Sequence, residues 1–523
     1  MDLGLGETKK LLRLFQVPDG VRLLRVGVFV DPSGVPRWVE ALVAVLKELA
    51  EIDVRLIHCS PSTEPTPKEP SWLMRQLHVA SREKFDAFSL TATAPSHSFG
   101  APCDLAIWLA STRDQHLDAK RLATHGALSV EFGAQTGPFP YWDEIATRSP
   151  ISAVKVYWHE SSLSHGRRIR RGETPTVQSL YFTKNAAEPV VAAIRMLAAL
   201  CIDVQRDRAG CEESFRKFPV KPLLRNPPRI PSSWEAGMFA AGKLARSAAL
   251  RWEALTWNPH WFLAIRPNAG QTLADGSLAG FQEIPLAKGS AMMADPFLLD
   301  RGEKTWMFYE DIPRDSPRGR LMCAEIHADG SLSDAGIVLQ RDCHLSYPCV
   351  IENNGDVFLL PESFEGSDVN LYRFTRFPYE VRLVASPIVG LGLADATPLL
   401  HDGLWYFFAA TAPPFQETLL FTAAKLDGSW KLHPASPISS SVANCRPAGN
   451  LFWRNGRLFR PAQDCSIRYG YAMVLNEVTL LTPTEFEERP VRHIAPTWAP
   501  RLAGTHTWNE SSRFQVTDGL RLR

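Results

Sequence analysis

The sequence lacks an excess of charge of either sign. Its 57 Lys and Arg stand against 56 Asp and Glu, a formal net charge of +1, so there is no broad basic surface to grip nucleic acid or anionic lipid nonspecifically. It also lacks metal-ligand cysteine spacing. The nine cysteines (59, 103, 201, 211, 323, 343, 349, 445 and 465) are odd in number, scattered, and never form C-x-x-C, which argues against a zinc ribbon or a simple disulfide framework and fits a reducing compartment. No apolar run reaches the ~18 residues that span a bilayer, and MDLGLGETKKLLRLFQ contains no apolar leader-type segment. These absences lead us to expect a soluble, cytoplasmic protein with no nucleic-acid partner and no transmembrane segment. Lys9 to Phe15 is briefly amphipathic, enough for a peripheral membrane contact, although a packed or frayed terminal helix is the reading we favour.

At 523 residues the chain exceeds one ordinary hydrophobic core, and its two halves follow different patterns. In the first, LLRVGVFV (23–30) reads as a strand buried on both faces, followed by a helical pattern from Trp38 to Leu49. Val54 to His58, CDLAIWLAS (103–111) and GALSVEFG (126–133) supply further strands, with helix-compatible stretches between several of them. Such alternation predicts a doubly wound α/β domain of the Rossmann type with a parallel sheet. Its Gly34, Gly133 and Gly137 are isolated and form no G-x-G-x-x-G, so no nucleotide cofactor is expected. We divide the chain into an N-terminal segment (1–20), this α/β domain (21–215), a linker and helix (216–257), and a final domain (258–523). The linker carries prolines at 219, 222, 227, 228 and 231, and a helix from Glu235 to Trp257 follows with Ser232 and Ser233 as candidate N-caps.

The second half is built of short aromatic-rich strands around recurring turns: DRGEK, NNGD, HDG, RNGR and TDG. Their glycines at 302, 355, 403, 456 and 519 are 53, 48, 53 and 63 residues apart. A repeat near fifty residues made of strands predicts an all-β five-bladed propeller. Each turn follows a comparable first strand (ADPFLLD, SYPCVIE, ATPLLH, PAGNLFW, HTWNESSRFQVT), and WFLAIRP (261–267) is available to complete the last blade and tie the ring shut.

In a propeller the first strand of each blade runs beside the axis, so Asp295, Ser346 with Tyr347, Asp395 with Thr397, Arg446, and Thr505 with His506 should meet in one funnel. Charges gathered there need partners or a function, because burying them alone costs several kcal/mol. Glu310, Glu362 and Asp464 follow at the ends of second strands. Glycosyl transfer by acid/base chemistry needs a carboxylate and a protonated carboxyl. Asp295 and Glu362 are the candidates, with Asp395 orienting the sugar or tuning a neighbour. Glu310, His344, Tyr347, Arg446, Asp464 and His506 form the candidate substrate-binding set. A bland role is set beside each: Glu310 and Asp464 as ion pairs with Arg446 or Arg460, His344 and His506 as scaffold. No metal site is suggested by ligand spacing, a single ion held on the axis by Asp295 or His506 being the one alternative, and no cofactor is expected.

At ADPFLL, HLSYPCVIE, LLPES, DATPLL, RPAGNLF, RPAQDCSIRYG and GTHTWN the second half resembles the N-terminal domain of plant glucosamine inositolphosphorylceramide transferases and its bacterial relatives. That domain is in turn similar to the five-bladed propellers of family 43 glycoside hydrolases. The resemblance implies an aspartate base, matched by Asp295, a second aspartate that tunes pKa, and a glutamate acid. Blade two departs from it, opening with Ser346-Tyr347-Pro348, and Glu362 and Asp395 do not map one-to-one.

The first half resembles, at LRVGVFVD, CDLAIWLAS and GALSVEFGAQTGPFPYWDEI, a formyltransferase N-terminal domain. The asparagine, histidine and aspartate that this implies are replaced at Ser129-Val130-Glu131-Phe132 and SHGRRI (164–169), so a scaffold without formyl transfer is expected. Together these readings point to a carbohydrate-active enzyme acting on a glycosidic or sugar-phosphate bond of a sugar or nucleotide sugar, transferring sugar in glycan or glycolipid assembly. A family 43-like hydrolase and a non-catalytic sugar- or partner-binding protein are the alternatives.

Overall fold

The computed structural model describes residues 5–15, 22–31, 34–59, 87, 90–91, 102–110, 119–133, 141–179, 182–222, 231–256, 259–271, 273–275, 278–363 and 367–522. The chain divides into two compact units, Met1–Leu250 and Arg251–Arg523.

In the first unit a seven-stranded sheet runs in the order Ile52–His58, Leu24–Val30, Leu105–Trp108, Ala127–Phe132, Ile151–His159, His165–Pro175, Val220–Pro222. The first four strands are mutually parallel, as the alternation predicts. The last three are antiparallel, so the sheet is mixed. The reason is local: Ile151–His159 and His165–Pro175 are joined by a short loop, and a short loop can only reverse a strand. Val220–Pro222, inside the stretch read as linker, is the edge strand of this sheet. Pro227, Pro228, Gly137 and Trp257 lie outside the described residues. The helix Arg37–Lys47 buries Trp38, Val39, Leu42, Val45 and Leu46, an apolar stripe at helical spacing. It packs beside Ala187–Arg206, which is buried over most of its length. The first described helix, Leu5–Leu14, buries Leu11 and Leu12 and is fastened by Arg195 Nε donating to Thr8 Oγ1 at 3.0 Å. It is therefore a packed helix. No helix among the described residues is long and apolar enough to cross a membrane.

The helix Ser233–Thr256 opens with a reciprocal capping box. Ser232 Oγ accepts from Glu235 N at 3.2 Å, while Glu235 Oε2 accepts from Ser232 N at 2.9 Å.

The second unit is the five-bladed propeller. Blades one to three are four-stranded antiparallel sheets whose inner strands are Ser290–Arg301, Ser346–Asn353 and Leu393–His401. Blade four has a broken inner strand, Arg446–Pro447 and Phe452–Arg454, on Arg457–Asp464. Blade five joins the two ends of the unit: His260–Pro267 pairs along its whole length with Phe514–Arg521, His260 opposite Arg521 and Pro267 opposite Phe514. That closes the ring as WFLAIRP suggested.

Four of the five sequence turns are two-residue hairpins. In NNGD, HDG and RNGR both central residues have positive φ, 52° and 83° at Asn354 and Gly355, 48° and 77° at Asp402 and Gly403, 50° and 73° at Asn455 and Gly456. This is the backbone that Asn-Gly and Asp-Gly adopt most readily. The fifth is a correction. TDG is no turn; Asp518 and Gly519 lie within the strand Phe514–Arg521, and the blade-five hairpin turns instead after Trp508–Glu510, where Ser511 N donates to Phe514 O at 2.8 Å. Gly519 is needed for packing, since a Cβ there would meet Phe262 Cζ at 2.8 Å.

Candidate active site

The inner strands of blades one, two and three share one irregularity. The pairing register slips between Ala294 and Phe297, between Ser346 and Cys349, and between Ala394 and Thr397. The residue at each slip has a left-handed backbone: Asp295 (φ 53°), Tyr347 (φ 45°) and Asp395 (φ 54°). A bulge of this kind unpairs one residue and re-aims it, and holding a non-glycine residue there costs on the order of 1–3 kcal/mol. Spending that cost three times at equivalent places on the axis marks the site.

Asp295, 3% exposed, bonds to the blades on either side. Its Oδ1 accepts from Thr507 Oγ1 at 2.6 Å, its Oδ2 from Tyr347 N at 3.2 Å, and its own N–H donates to Asp518 Oδ2 at 3.2 Å. His506 Nε2 lies 3.7 Å from Asp295 Oδ1, and His506 Nδ1 lies 2.6 Å from Asp518 Oδ2. Burial pushes the Asp295 carboxyl up to about 7, with His506 opposing and Glu310, Asp395 and Asp518 adding to the rise. For His506 burial works against the charge, but Asp518 and Asp295 overcome it and raise the imidazolium to about 9. The ring is held from one side by Trp261, stacked at 4.1 Å between centroids.

Asp395 and Glu362 share a cation. Arg446 Nε donates to Asp395 Oδ2 at 2.7 Å and its NH2 reaches Glu362 Oε2 at 3.5 Å, while Glu362 Oε2 also accepts from Asp395 N at 3.0 Å. Gln463 Nε2 donates a further 2.9 Å bond to Asp395 Oδ2. Burial holds the Glu362 carboxyl well above the usual range, Asp395 adding to this and Arg446 opposing it. The arginine therefore sits with Asp395 and Glu362 and leaves Asp295 to His506.

Of the candidate residues, Asp295, Glu362, Asp395, Arg446 and His506 converge: Asp395 raises Asp295, and Asp395 and Asp295 both raise Glu362. Tyr347 is a correction. It is fully buried, its hydroxyl 2.9 Å from Thr397 Oγ1 and accepting from Gly449 N at 2.8 Å, so it ties blades together and cannot face a ligand. Glu310 and Asp464 pair with histidines where arginines were expected. Glu310 Oε1 is 3.1 Å from His344 Nε2, and His344 Nδ1 accepts from Gly319 N at 2.9 Å, which puts the proton on Nε2 facing the glutamate. Asp464 Oδ2 is 3.0 Å from His493 Nε2 and its Oδ1 accepts from Ser466 N at 2.9 Å, a loop-fixing role in blade four. Arg460 is taken by Glu488.

The sequence reading missed Thr507, Gln463, Asp518 and Tyr469. Asp518 was hidden inside TDG: it takes the inward slot of the Phe514, Val516 and Leu520 face and so interrupts the alternation that would have marked a strand. Tyr469, 51% exposed, has Arg446 5.1 Å from its ring centroid and meets the His506 ring edge-on at 5.5 Å. It offers a flat face at the mouth of the site on which a sugar ring can stack. Asp295, His506 and Asp518 place ligand atoms within 4.8 Å of one another, a spacing that suits a cation. The donor set fits one poorly, because Asp518 oxygens already accept from the N–H groups of Asp295, His506 and Thr507, and His506 holds a proton between two carboxylates.

Residues 271–520 match the family model described as glucosamine inositolphosphorylceramide transferase 1, N-terminal. Among curated proteins, glucosamine inositolphosphorylceramide transferase 1 of Oryza sativa subsp. indica is 32% identical over 213 residues, 39% of this chain and 28% of the relative. The protein of the same name from Arabidopsis thaliana is 30% identical over 208 residues, 38% and 27% of the two chains. This chain thus matches under a third of the length of those relatives. Among solved structures, the family 117 glycoside hydrolase Zg3597 of Zobellia galactanivorans aligns with a TM-score of 0.35 at 13% identity, over 50% of this chain and 90% of that one.

Proposed function

From a propeller that matches the N-terminal domain of glucosamine inositolphosphorylceramide transferases, we propose that the axis performs acid/base chemistry on a glycosidic or sugar-phosphate bond, transferring a sugar in glycan or glycolipid assembly. The observation that carries this is the unequal pairing of three buried carboxyls: Asp395 bonded by Arg446 and Gln463, Glu362 pushed toward its protonated form, and Asp295 raised to about 7. In this reading Asp295 takes the proton from the acceptor hydroxyl as the new bond to the anomeric carbon forms. The bond to the leaving oxygen breaks, and Glu362 supplies that oxygen with a proton. Asp395 and Arg446 fix the sugar, and Tyr469 stacks on it. Water in place of the acceptor would give hydrolysis by the same groups.

We place the reaction in the cytoplasm, where activated sugars are made. In support, all nine cysteines are free, as a reducing compartment requires. We read the first unit as a formyltransferase-like scaffold without its chemistry. The stretch that would carry catalysis reads Ser129-Val130-Glu131-Phe132, and its Ser129, 5% exposed, has its Oγ 2.8 Å from the buried His159.

The test is incubation with nucleotide sugars and aryl glycosides, following release of the leaving group. Asp295→Asn keeps an acceptor for Thr507 and is expected to lower turnover by about 100-fold or more, the scale of a lost general base. The non-catalytic reading is favoured by the 3% and 2% exposure of Asp295 and Asp395. Binding without turnover that survives Asp295→Asn would establish it in place of the enzyme.

A further inference from the structure

Beyond the carboxyl cluster the inner strands of the propeller are knitted into a floor. Asn509 Nδ2 donates to Pro296 O at 2.8 Å, Asn509 Oδ1 accepts from Asn450 N at 2.8 Å, and Gly449 N donates to the Tyr347 hydroxyl at 2.8 Å. On the far side, where the hairpins of blades four and five turn, lies a cavity of about 450 Å³ bordered by Asn268, Asn450, Trp453, Arg454, Trp508 and Glu510. Glu510 follows His506 along the chain, and Trp453 follows Arg446. The axial residues lie on the inner strands before these reach their hairpins, and the cavity lies at the hairpins of blades four and five, so the cavity is distinct from the axial site.

We propose that this cavity is a second saccharide-binding site, on the propeller face opposite the carboxyls, taking a neutral, hydroxyl-rich glycan. Its volume falls in the range of about 300–1,000 Å³ typical of small-molecule sites. The short strand Phe452–Arg454 alternates. Phe452 is buried and stacked on Phe459 at 5.5 Å, which turns Trp453 outward, and Trp453 stays 48% exposed. An indole left half open beside polar groups is a platform for the C–H face of a pyranose. Next to it Arg454 NH2 bonds Glu510 Oε2 at 3.0 Å, and Gln515 Nε2 reaches the same oxygen at 3.2 Å. This ion pair presents donors and an acceptor side by side with no net charge, which suits neighbouring hydroxyls and gives an anionic sugar no advantage. Asn268 is fixed by Nδ2 donating to Ser511 O at 2.6 Å and Oδ1 accepting from Gly270 N at 3.1 Å. The wall is therefore preorganised before any ligand arrives. Trp508, 1% exposed, leaves its Nε1 without a hydrogen-bond partner among the described residues, and a buried donor left so costs about 1–3 kcal/mol unless a ligand or water meets it.

The test is saturation-transfer NMR with cellobiose, lactose and maltose as neutral probes and glucose 1-phosphate as the charged one, on the full chain. The expected result is transfer from at least one neutral disaccharide, undiminished in Asp295→Asn, and weakened about tenfold or more in both Trp453→Ala and Glu510→Gln. Thermal melts check that the variants fold; Glu510→Gln preserves shape if Trp453→Ala does not. No transfer from any neutral disaccharide, preferential binding of glucose 1-phosphate, or binding unchanged in both variants would overturn the inference. Binding lost in Asp295→Asn but kept in Trp453→Ala would place the ligand in the axial site, overturning this inference while leaving the proposed function standing.

Discussion

His506 shows how far one residue can be driven by its neighbours. It is 2% exposed, yet burial loses to Asp518 and Asp295 and the ring stays protonated up to about pH 9. Because its folded pKa lies above the unfolded value of about 6.5, its contribution is fully present below that value and disappears as pH rises through 9. Asp295, raised to about 7 from about 3.9 unfolded, likewise favours the fold most at low pH and loses that contribution between those two values. The melting temperature of the propeller should therefore fall steadily between pH 6.5 and 9, and His506→Gln should flatten that slope; a slope unchanged in the variant would refute the assignment. Arg446 is the other cation of the site. Arg446→Met would strand Asp395 and Glu362, an uncompensated burial worth roughly 3–5 kcal/mol in denaturant unfolding, and adding Asp395→Asn should restore part of it. At this scale the sequence revealed Asp295, Asp395, Arg446 and His506 because a repeat puts equivalent positions on one axis. It concealed Asp518, whose Asp-Gly context imitates a turn, and it misplaced Tyr347, which sits at the bulge but whose hydroxyl is taken by Thr397 and Gly449.

Among the elements, hairpins were legible and bulges were not. Asn-Gly and Asp-Gly announce positive φ, whereas Asp295, Tyr347 and Asp395 adopt it with no glycine to signal it. The surrounding ladder must impose that backbone. Blade two keeps the bulge while replacing the aspartate of blades one and three by tyrosine, so the bulge serves the fold as well as the site. Where blade four meets blade five the inner strands come too close for any side chain. Gly449 has φ 119°, and a Cβ there would lie 2.0 Å from Trp508 O. Gly449→Ala should consequently cost more than the ~1 kcal/mol of an ordinary strained glycine site and lower the melting temperature. Gly403→Ala, in an open hairpin turn with nothing within 4 Å of the added carbon, should cost about that ordinary amount. Equal losses in the two variants would show that the close approach is not maintained in solution.

For the whole molecule, the α/β character of the first unit followed from its alternating pattern, but the antiparallel half of its sheet did not, because strand direction depends on which neighbour a strand finds. In the propeller the ring is closed by hydrogen bonds between segments some 250 residues apart, His260–Pro267 and Phe514–Arg521. Closure leaves no free edge at that seam. It also buries Phe262, Leu263 and Ala264 on one side and Val516 and Thr517 on the other. Residues 271–520, which match the family model, omit the first of these strands. A fragment comprising 271–523 should then expose the whole edge of Phe514–Arg521, from which Asp518 organises Asp295 and His506, and should aggregate or unfold without cooperativity. A fragment comprising 259–523 retains the seam and should unfold in one transition with the carboxyl cluster intact. Circular dichroism melts of the two fragments decide the matter: a cooperative transition in the shorter one would mean that the blades hold the ring without the seam, and that the axial site does not depend on the strand before the family segment.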